Sequence, residues 1–531
     1  MKNFKEIPQP NLKKIDDLQQ LHDENQRLTL QNEQLQAKLS WYEEQFRLSR
    51  HRQFGSSSEK TAHPEQISVF NEAEMLADKK VDEPVMEDIQ YKRRKQKGKR
   101  EADLKDLPVE RVEYRLANDE LVCSICDGNL HEMTTEVRKE LKVIPAQVTV
   151  VEHVRYTYTC RTCEVQEEHP PIITATMPNP ILAKSLVSPS LLAYIMNNKY
   201  TLALPLYRQE QEFNRIGIPI NRANMANWII HGANHWLKLL YDRLHEILVS
   251  KDILHADETD LQVLNEDGRD AHKMSKMWLY ATGHTDESIY LYDYRTTRAG
   301  KHAEKFLELF KGYLHTDGYS GYNAVGNVKI IGCMAHVRRK YKDALKAIKD
   351  QSTTSYAKSE EGLDYCNRLF ALEAEWKELT PEERHKKRQE SMKPILDDFL
   401  AWAKKLKQQA LPKSSLGGAI TYTLNLWPKL ITILEDGRLE LSNNRAERAI
   451  KPFIINRKNF LFCNTPKGAQ ASAIVQSIVE TAKGNNLKPL DYLSYLFEKL
   501  PNININQKEE LDDLLPWSDK IPTSCKNLKK E

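Results

Sequence analysis

The chain has 531 residues, 40% of them hydrophobic and 29% charged, with a formal net charge of +3. That length supports several domains with a sizeable core. No run approaches the roughly 18 uninterrupted apolar residues of a membrane span, and the N-terminus lacks an apolar signal core, so a cytoplasmic protein without a membrane partner is expected.

Residues 12–48 carry a heptad. Leu18, Asn25, Asn32, Leu39 and Phe46 form one series, and Leu21, Leu28, Leu35 and Tyr42 the other. This a/d seam predicts a coiled coil over residues 1–55 and self-association as a homodimer or higher oligomer; Asn at two a positions favours a defined register. Gly55 and the serines after it end the helix, and residues 56–105 read as a polar and basic linker. Seven of the nine residues 92–100 are Lys or Arg. Beside a zinc module such a run would meet phosphates, each contact adding salt-dependent affinity.

Eight cysteines are few for this length, and four form two close pairs, which in a reducing compartment favours metal over disulfide. Cys123 and Cys126 make one CxxC turn, Cys160 and Cys163 a second. Two such knuckles complete a tetrahedral Zn2+ site, structural because four thiolates leave no open position. Residues 106–175 are therefore read as a zinc-binding module, with the alternation of Val143, Val148, Val150, Val154, Tyr156 and Tyr158 predicting a hairpin ribbon. Prolines 170, 171, 178 and 180 mark its end. Residues 180–245 read as helical, with a turn at 217–219. The pair of helices around it is as compatible with a DNA-binding helix-turn-helix as with ordinary packing.

From residue 250 the pattern changes to strands: 253–264, 277–282 and 289–294, then a helix over 300–310, a strand ending at Asp317, a strand over 328–333 and a helix from Ala335. Residues 345–435 are charged and helical and read as an insertion, with Thr380-Pro381 as a helix start. Leu441 to Asn444 then caps a helix bearing Glu447. A three-strand meander, helix, strand, helix, strand is the order of the ribonuclease-H-like fold. The predicted class is thus α/β: a ribonuclease-H-like catalytic core over 250–463 with a helical insertion, preceded by the coiled coil and the zinc module. Helices over 469–483 and 488–500 make a C-terminal helical segment (464–503), and 504–531 reads as a flexible tail.

Asp257, Asp317 and Glu447 are acids on separate elements, the pattern of a two-metal phosphoryl-transfer site. Glu258 and Asp260 are near competitors for the first position; strand alternation sends Glu258 to the face opposite Asp257. Glu440 competes with Glu447 for the third.

Four segments occur in order: His255-Ala256-Asp257-Glu258-Thr259; His315-Thr316-Asp317-Gly318-Tyr319; Gly332 through Lys340; and Asn443 through Pro452, continuing to Asn459. In these the chain resembles the large DDE transposase of bacterial insertion-sequence family sixty-six, and its coiled coil, cysteine module and C-terminal segment match that layout. The resemblance implies Asp257, Asp317 and Glu447 as the catalytic triad holding Mg2+ or Mn2+. It implies cleavage of insertion-sequence ends and their joining to target DNA by hydrolysis and then transesterification. It also implies transposon-end and target DNA as partners, small accessory proteins of the same element, and a nucleoid-associated location. His336, Arg338, Arg339 and Lys340, with Arg448, Lys451, Arg457 and Lys458, are the expected DNA-phosphate contacts. A nuclease without strand transfer, or an inactive DNA-binding relic, remain the alternatives.

Overall fold

The structure is a computed structural model that describes residues 27–28, 147–159, 172–348, 354–505 and 507–527. Apart from Arg27 and Leu28, the predicted coiled coil lies outside the described residues, as do the basic run and all four paired cysteines. Contacts divide the chain into two compact units, residues 58–175 and the remainder.

In the smaller unit two short strands pair antiparallel, β1 (Thr157–Thr159) and β2 (Ile172–Thr174), with Thr157 opposite Thr174. They flank the Cys160–Cys163 segment. Of the ribbon expected between the two cysteine pairs, Val143 lies outside the described residues, residues 147–156 have no regular structure, and Tyr158 falls in β1. Val150 and Val154 are exposed among the described residues.

The larger unit opens with helices α1 (Pro189–Tyr200), α2 (Leu206–Arg215), α3 (Arg222–His231) and α4 (Lys238–Val249). Ser188 and Asn221 cap α1 and α3 by accepting from backbone N–H groups in the first turn. A π-helical stretch, Gly232–Leu237, joins α3 to α4. The α2–α3 pair buries Phe213, Met225, Trp228 and Ile229 in the main core.

A five-stranded mixed sheet follows. It comprises β3 (Ile253–Gln262), β4 (Met274–Thr282), β5 (Tyr290–Arg295), β6 (Gly312–Thr316) and β7 (Val328–Gly332) in the order β5-β4-β3-β6-β7. The meander β3-β4-β5 is antiparallel, while β6 and β7 run parallel to β3. Helix α5 (Lys301–Phe306) carries the chain from β5 to β6, and α6 (Met334–Ala347) leaves β7.

The predicted insertion is helical: α7 (Thr354–Glu375), α8 (Pro381–Lys387), α9 (Lys393–Lys407) and α10 (Ser415–Leu430). Thr380 and Glu383 form a reciprocal capping box on α8. These helices enclose their own core around Tyr341, Phe399 and Trp427. The buried Arg388 pairs with Glu373 through bonds of 2.7 and 2.9 Å and also donates to the carbonyls of Ile433, Asp436 and Leu439. That set fixes the path of the chain as it leaves the insertion.

Helix α11 (Asn444–Phe460) packs on β3 and β4 through Ala446, Ile450 and Phe453, against Leu261, Met277 and Leu279. Helices α12 (Pro466–Gly484), α13 (Pro489–Lys499) and α14 (Lys508–Asp512) complete the unit. Residues 507–527, predicted as part of a flexible tail, instead bury Leu511, Leu514, Leu515, Ile521 and Cys525 in the main core. The polar residues of that stretch mask an apolar set large enough to hold it.

Helix α12 is buried along most of its length, and its polar residues have a task. Strand β5 is a sheet edge, with backbone groups of Tyr290 and Tyr292 turned outward. Ser477 accepts from Tyr292 N–H at 2.8 Å, and Thr481 accepts from Tyr290 N–H at 3.0 Å. Thr481 and Tyr241 hydroxyls donate to the two carbonyls at 3.2 and 3.0 Å. The edge is thus satisfied by side chains rather than by another strand. Ser477→Ala should leave the Tyr292 N–H buried without a partner and cost about 1–3 kcal/mol. The check is a lower urea midpoint with an unchanged circular-dichroism spectrum.

Candidate active site

Side chains alternate along β3, so His255, Asp257 and Leu261 face helix α11, while Leu254, Ala256 and Glu258 face the other layer. Asp257 sits mid-strand opposite Leu279 of β4. Asp317 follows the last residue of β6. Its Oδ1 accepts from Tyr319 N–H at 2.8 Å, across a turn that Gly318 makes with φ +95°. A Cβ at Gly318 would meet Leu426 of α10 at 2.8 Å, so both conformation and space require glycine there. Tyr422, also on α10, donates to the Asp317 carbonyl at 2.8 Å. Glu447 lies in the first turn of α11.

These three acids meet electrostatically. Burial pushes the Asp257 carboxyl up to about 8, and Glu258, Asp317 and Glu447 push in the same direction against the bond from Glu258 N–H. A site that crowds carboxylates in this way calls for positive charge. Glu447 Oε1 is buried without a hydrogen-bond partner, while Oε2 lies 3.5 Å from Arg339.

Glu440 is placed differently. Its carboxylate is 2.9 Å from His255 Nε2 and 3.1 Å from Arg445 Nε. Burial would raise it, but His255 and Arg445 outweigh burial and hold it well below the usual carboxylate range. Glu258 accepts from Tyr322 at 2.6 Å and pairs with Arg298; burial raises its carboxyl. Asp260, exposed near the end of β3, pairs with Lys276.

The segment Leu441–Asn444 does end at the start of α11, with Asn443 at the N-cap position. The Asn443 side chain makes no cap bond and crosses to β3 instead. Nδ2 donates to the Ala256 carbonyl at 2.8 Å, and Oδ1 is 3.0 Å from His255 Nδ1. Its backbone N–H donates to Cys333 Sγ at 3.2 Å. The His255 ring stacks on His315 of β6, 4.2 Å between centroids and 6° from parallel. Each histidine stands two residues before an aspartate, a repeated His-x-Asp spacing visible in the sequence.

Of the basic residues expected to meet DNA, Arg448, Lys451 and Lys458 are exposed on α11 and Lys340 on α6. Arg338 bonds Asn367 at 2.7 Å. Arg457 is half-buried, with Nη1 enclosed, and His336 is half-buried with Nδ1 3.6 Å from Glu447 Oε1. Arg298 was not anticipated. It lies over the Tyr319 ring, 3.8 Å from the centroid, and 3.8 Å from Asp317 Oδ2. It reaches the acids from the loop after β5, a neighbour that only the folded sheet creates.

The family comparison falls on this site. A profile described as "Transposase IS66 family" matches residues 184–471, more than half of the chain. The chain belongs to this family. Three further family profiles extend the match. The "zinc-finger binding domain of transposase IS66" covers residues 120–164, which hold all four paired cysteines. The "IS66 C-terminal element" covers 477–517, and "Transposase C of IS166 homeodomain" covers 41–112. The last takes in the segment read above as linker and basic run.

Relatives in Sinorhizobium fredii (strain NBRC 101917 / NGR234) match most of the chain. The uncharacterized protein y4jD is 30% identical over 431 residues, 78% of this chain and 81% of the relative. The uncharacterized protein y4qI is 30% identical over 430 residues, 77% of this chain and 76% of the relative. No described helix is long and apolar enough to cross a membrane.

Glu440 supplies a pH test of the frame around the acids. Its lowered folded value means that its contribution is present above the unfolded carboxylate value of about 4.3 and is lost as pH falls toward the folded value. Glu440→Gln should therefore lower the urea midpoint at neutral pH, with a difference from the parent that shrinks on acidification below about pH 4. A difference that stays constant with pH would show that the His255 and Arg445 contacts contribute nothing through charge.

Proposed function

We propose that the protein cuts the ends of its insertion sequence and joins them to target DNA. In this reading Asp257, Asp317 and Glu447 hold two divalent cations, Mg2+ or Mn2+. The observation that carries it is the convergence of three acids from β3, from the turn after β6 and from the first turn of α11, close enough for Asp317 and Glu447 to act on Asp257. The sheet order, with a meander followed by two parallel strands, supports a ribonuclease-H-like core.

The donor set fits the cations. Carboxylate oxygens suit hard divalent ions, and the buried Glu447 Oε1, which has no hydrogen-bond partner, fits a ligand atom. When bound, the cations supply Lewis-acid activation of the attacking oxygen and stabilisation of the leaving oxygen in an in-line displacement. The chain supplies the rest. Strand and helix backbones hold the three acids rigidly, and α10 braces the Asp317 turn.

Arg298 sits at the edge of the acids, where it can meet a phosphate oxygen. Arg448, Lys451 and Lys458 would grip the sugar-phosphate backbone, each contact adding to the salt dependence of binding. Water first cleaves a phosphodiester at the element end and leaves a 3′-hydroxyl. That hydroxyl then attacks a target phosphodiester, so one phosphodiester is exchanged for another and no high-energy cofactor is consumed. Four cysteines, Cys123, Cys126, Cys160 and Cys163, would hold a structural Zn2+ in the zinc-finger region. The N-terminal heptad would join copies on DNA, with small accessory proteins of the same element as further partners.

The test is a cleavage-and-joining assay with labelled DNA carrying the element's ends, Mg2+ and full-length protein. Asp257→Asn, Asp317→Asn and Glu447→Gln should each lose cleavage by about a hundredfold or more while still binding the ends. Glu440→Gln should keep measurable cleavage. Cleavage without joined products would support a nuclease instead, and binding without chemistry in the parent protein would mark a DNA-binding relic. EDTA should abolish the reaction and Mn2+ restore it, read as reappearance of nicked ends. Activity that survives EDTA would remove the metal mechanism.

A further inference from the structure

Beside the three acids lies a corner with a different donor set. Cys333 precedes the first residue of α6, and His336 sits in the first turn of that helix. Cys333 Sγ, one ring nitrogen of His336 and a carboxylate oxygen of Glu447 all lie within 4.8 Å of one another. His336 Nδ1 and Glu447 Oε1 are 3.6 Å apart, too far for a good hydrogen bond, and both are shut off from solvent without a hydrogen-bond partner. Leaving two polar atoms in this state costs free energy unless something fills the gap between them.

Their separation is close to the edge of a tetrahedron around an ion with bonds of about 2.0–2.3 Å, roughly 3.4 Å. Glu447 Oε2 faces Arg339, so Oε1 is the atom left for an ion. Thiol, imidazole and carboxylate together are a donor set for zinc rather than for magnesium, which takes oxygen ligands.

We propose that this corner binds Zn2+ through Cys333 Sγ, His336 Nδ1 and Glu447 Oε1, with water in the fourth position, and that its occupancy inhibits strand cleavage. Binding displaces the thiol proton of Cys333 to solvent, so the thiolate is formed as the ion enters. Inhibition follows because Glu447 serves both sites, and a carboxylate oxygen bound to zinc is withdrawn from the oxygen-only site. The metal is then a brake that reads the level of free zinc. The inhibitory half rests on the reading of Glu447 as the third acid; the binding half does not.

The experiment uses the full-length protein equilibrated with buffered micromolar ZnCl2, desalted, and analysed for zinc per chain. The four paired cysteines contribute equally to every variant. The parent should retain one zinc more per chain than Cys333→Ser, which keeps an acceptor for the Asn443 N–H, and one more than His336→Gln. In Mg2+, added zinc should inhibit the parent at concentrations about tenfold below those that inhibit Cys333→Ser, and a zinc chelator should restore the parent. Equal zinc content in parent and both variants would overturn the site. Unequal content with equal zinc sensitivity would overturn the brake. Glu447→Gln in Mg2+ alone separates the two ideas: if it cleaves normally, the third-acid reading falls, while the zinc content still decides the site.

Discussion

One side-chain amide ties together the elements that carry Asp257 and Glu447. Asn443 stands where the chain enters helix α11, and its side chain bonds both the backbone and a side chain of strand β3. Its own N–H is anchored to Cys333, where α6 begins. Three elements that approach from different parts of the sequence are therefore referenced to a single residue. Glu447 is one turn away, so its position relative to Asp257 is set by short, directional bonds in a buried place, where such bonds are strongest and most costly to lose.

The stacked histidines and Glu440 extend this frame sideways. His255 and His315 put parallel strands β3 and β6 in contact two residues before Asp257 and Asp317. Glu440 and Arg445 then close the frame on the α11 side. The helical insertion takes part as well. Its last helix, α10, presses Leu426 and Tyr422 on the Asp317 turn, and Arg388 gathers three carbonyls of the departing chain. The helical segment thus supports the Asp317 turn directly and fixes the chain that leads on to α11.

Much of this was legible in the sequence because the signals were local. Apolar strands ending in or centred on an acid placed Asp257 and Asp317, and the observed strands fall within a few residues of those read from the pattern. Glu440 and Glu447, the two competitors for the third position, differ in their partners: Glu440 is paired with His255 and Arg445, while Glu447 keeps one oxygen without a hydrogen-bond partner. What stayed hidden was tertiary. Arg298, Tyr322 and Tyr422 come from elements with no local mark of the site. The capping segment Leu441–Asn444 is legible, but that the Asn443 amide reaches a buried carbonyl on β3 rather than the helix end is not. The C-terminal residues looked mobile because Leu511, Leu514, Leu515 and Ile521 are spread among acids and lysines, and only a waiting core reveals their purpose.

The closure of strand β5 by helix α12 has a consequence for assembly. A sheet grows from one molecule into the next only if its border offers free donors and acceptors. At Tyr290 and Tyr292 these are already taken by hydroxyl groups of the same chain. Several copies gathered on one stretch of DNA could not merge their sheets along this border. Any association of copies at Tyr290 and Tyr292 would have to rely on side-chain surfaces, which can be released without breaking a continuous ladder.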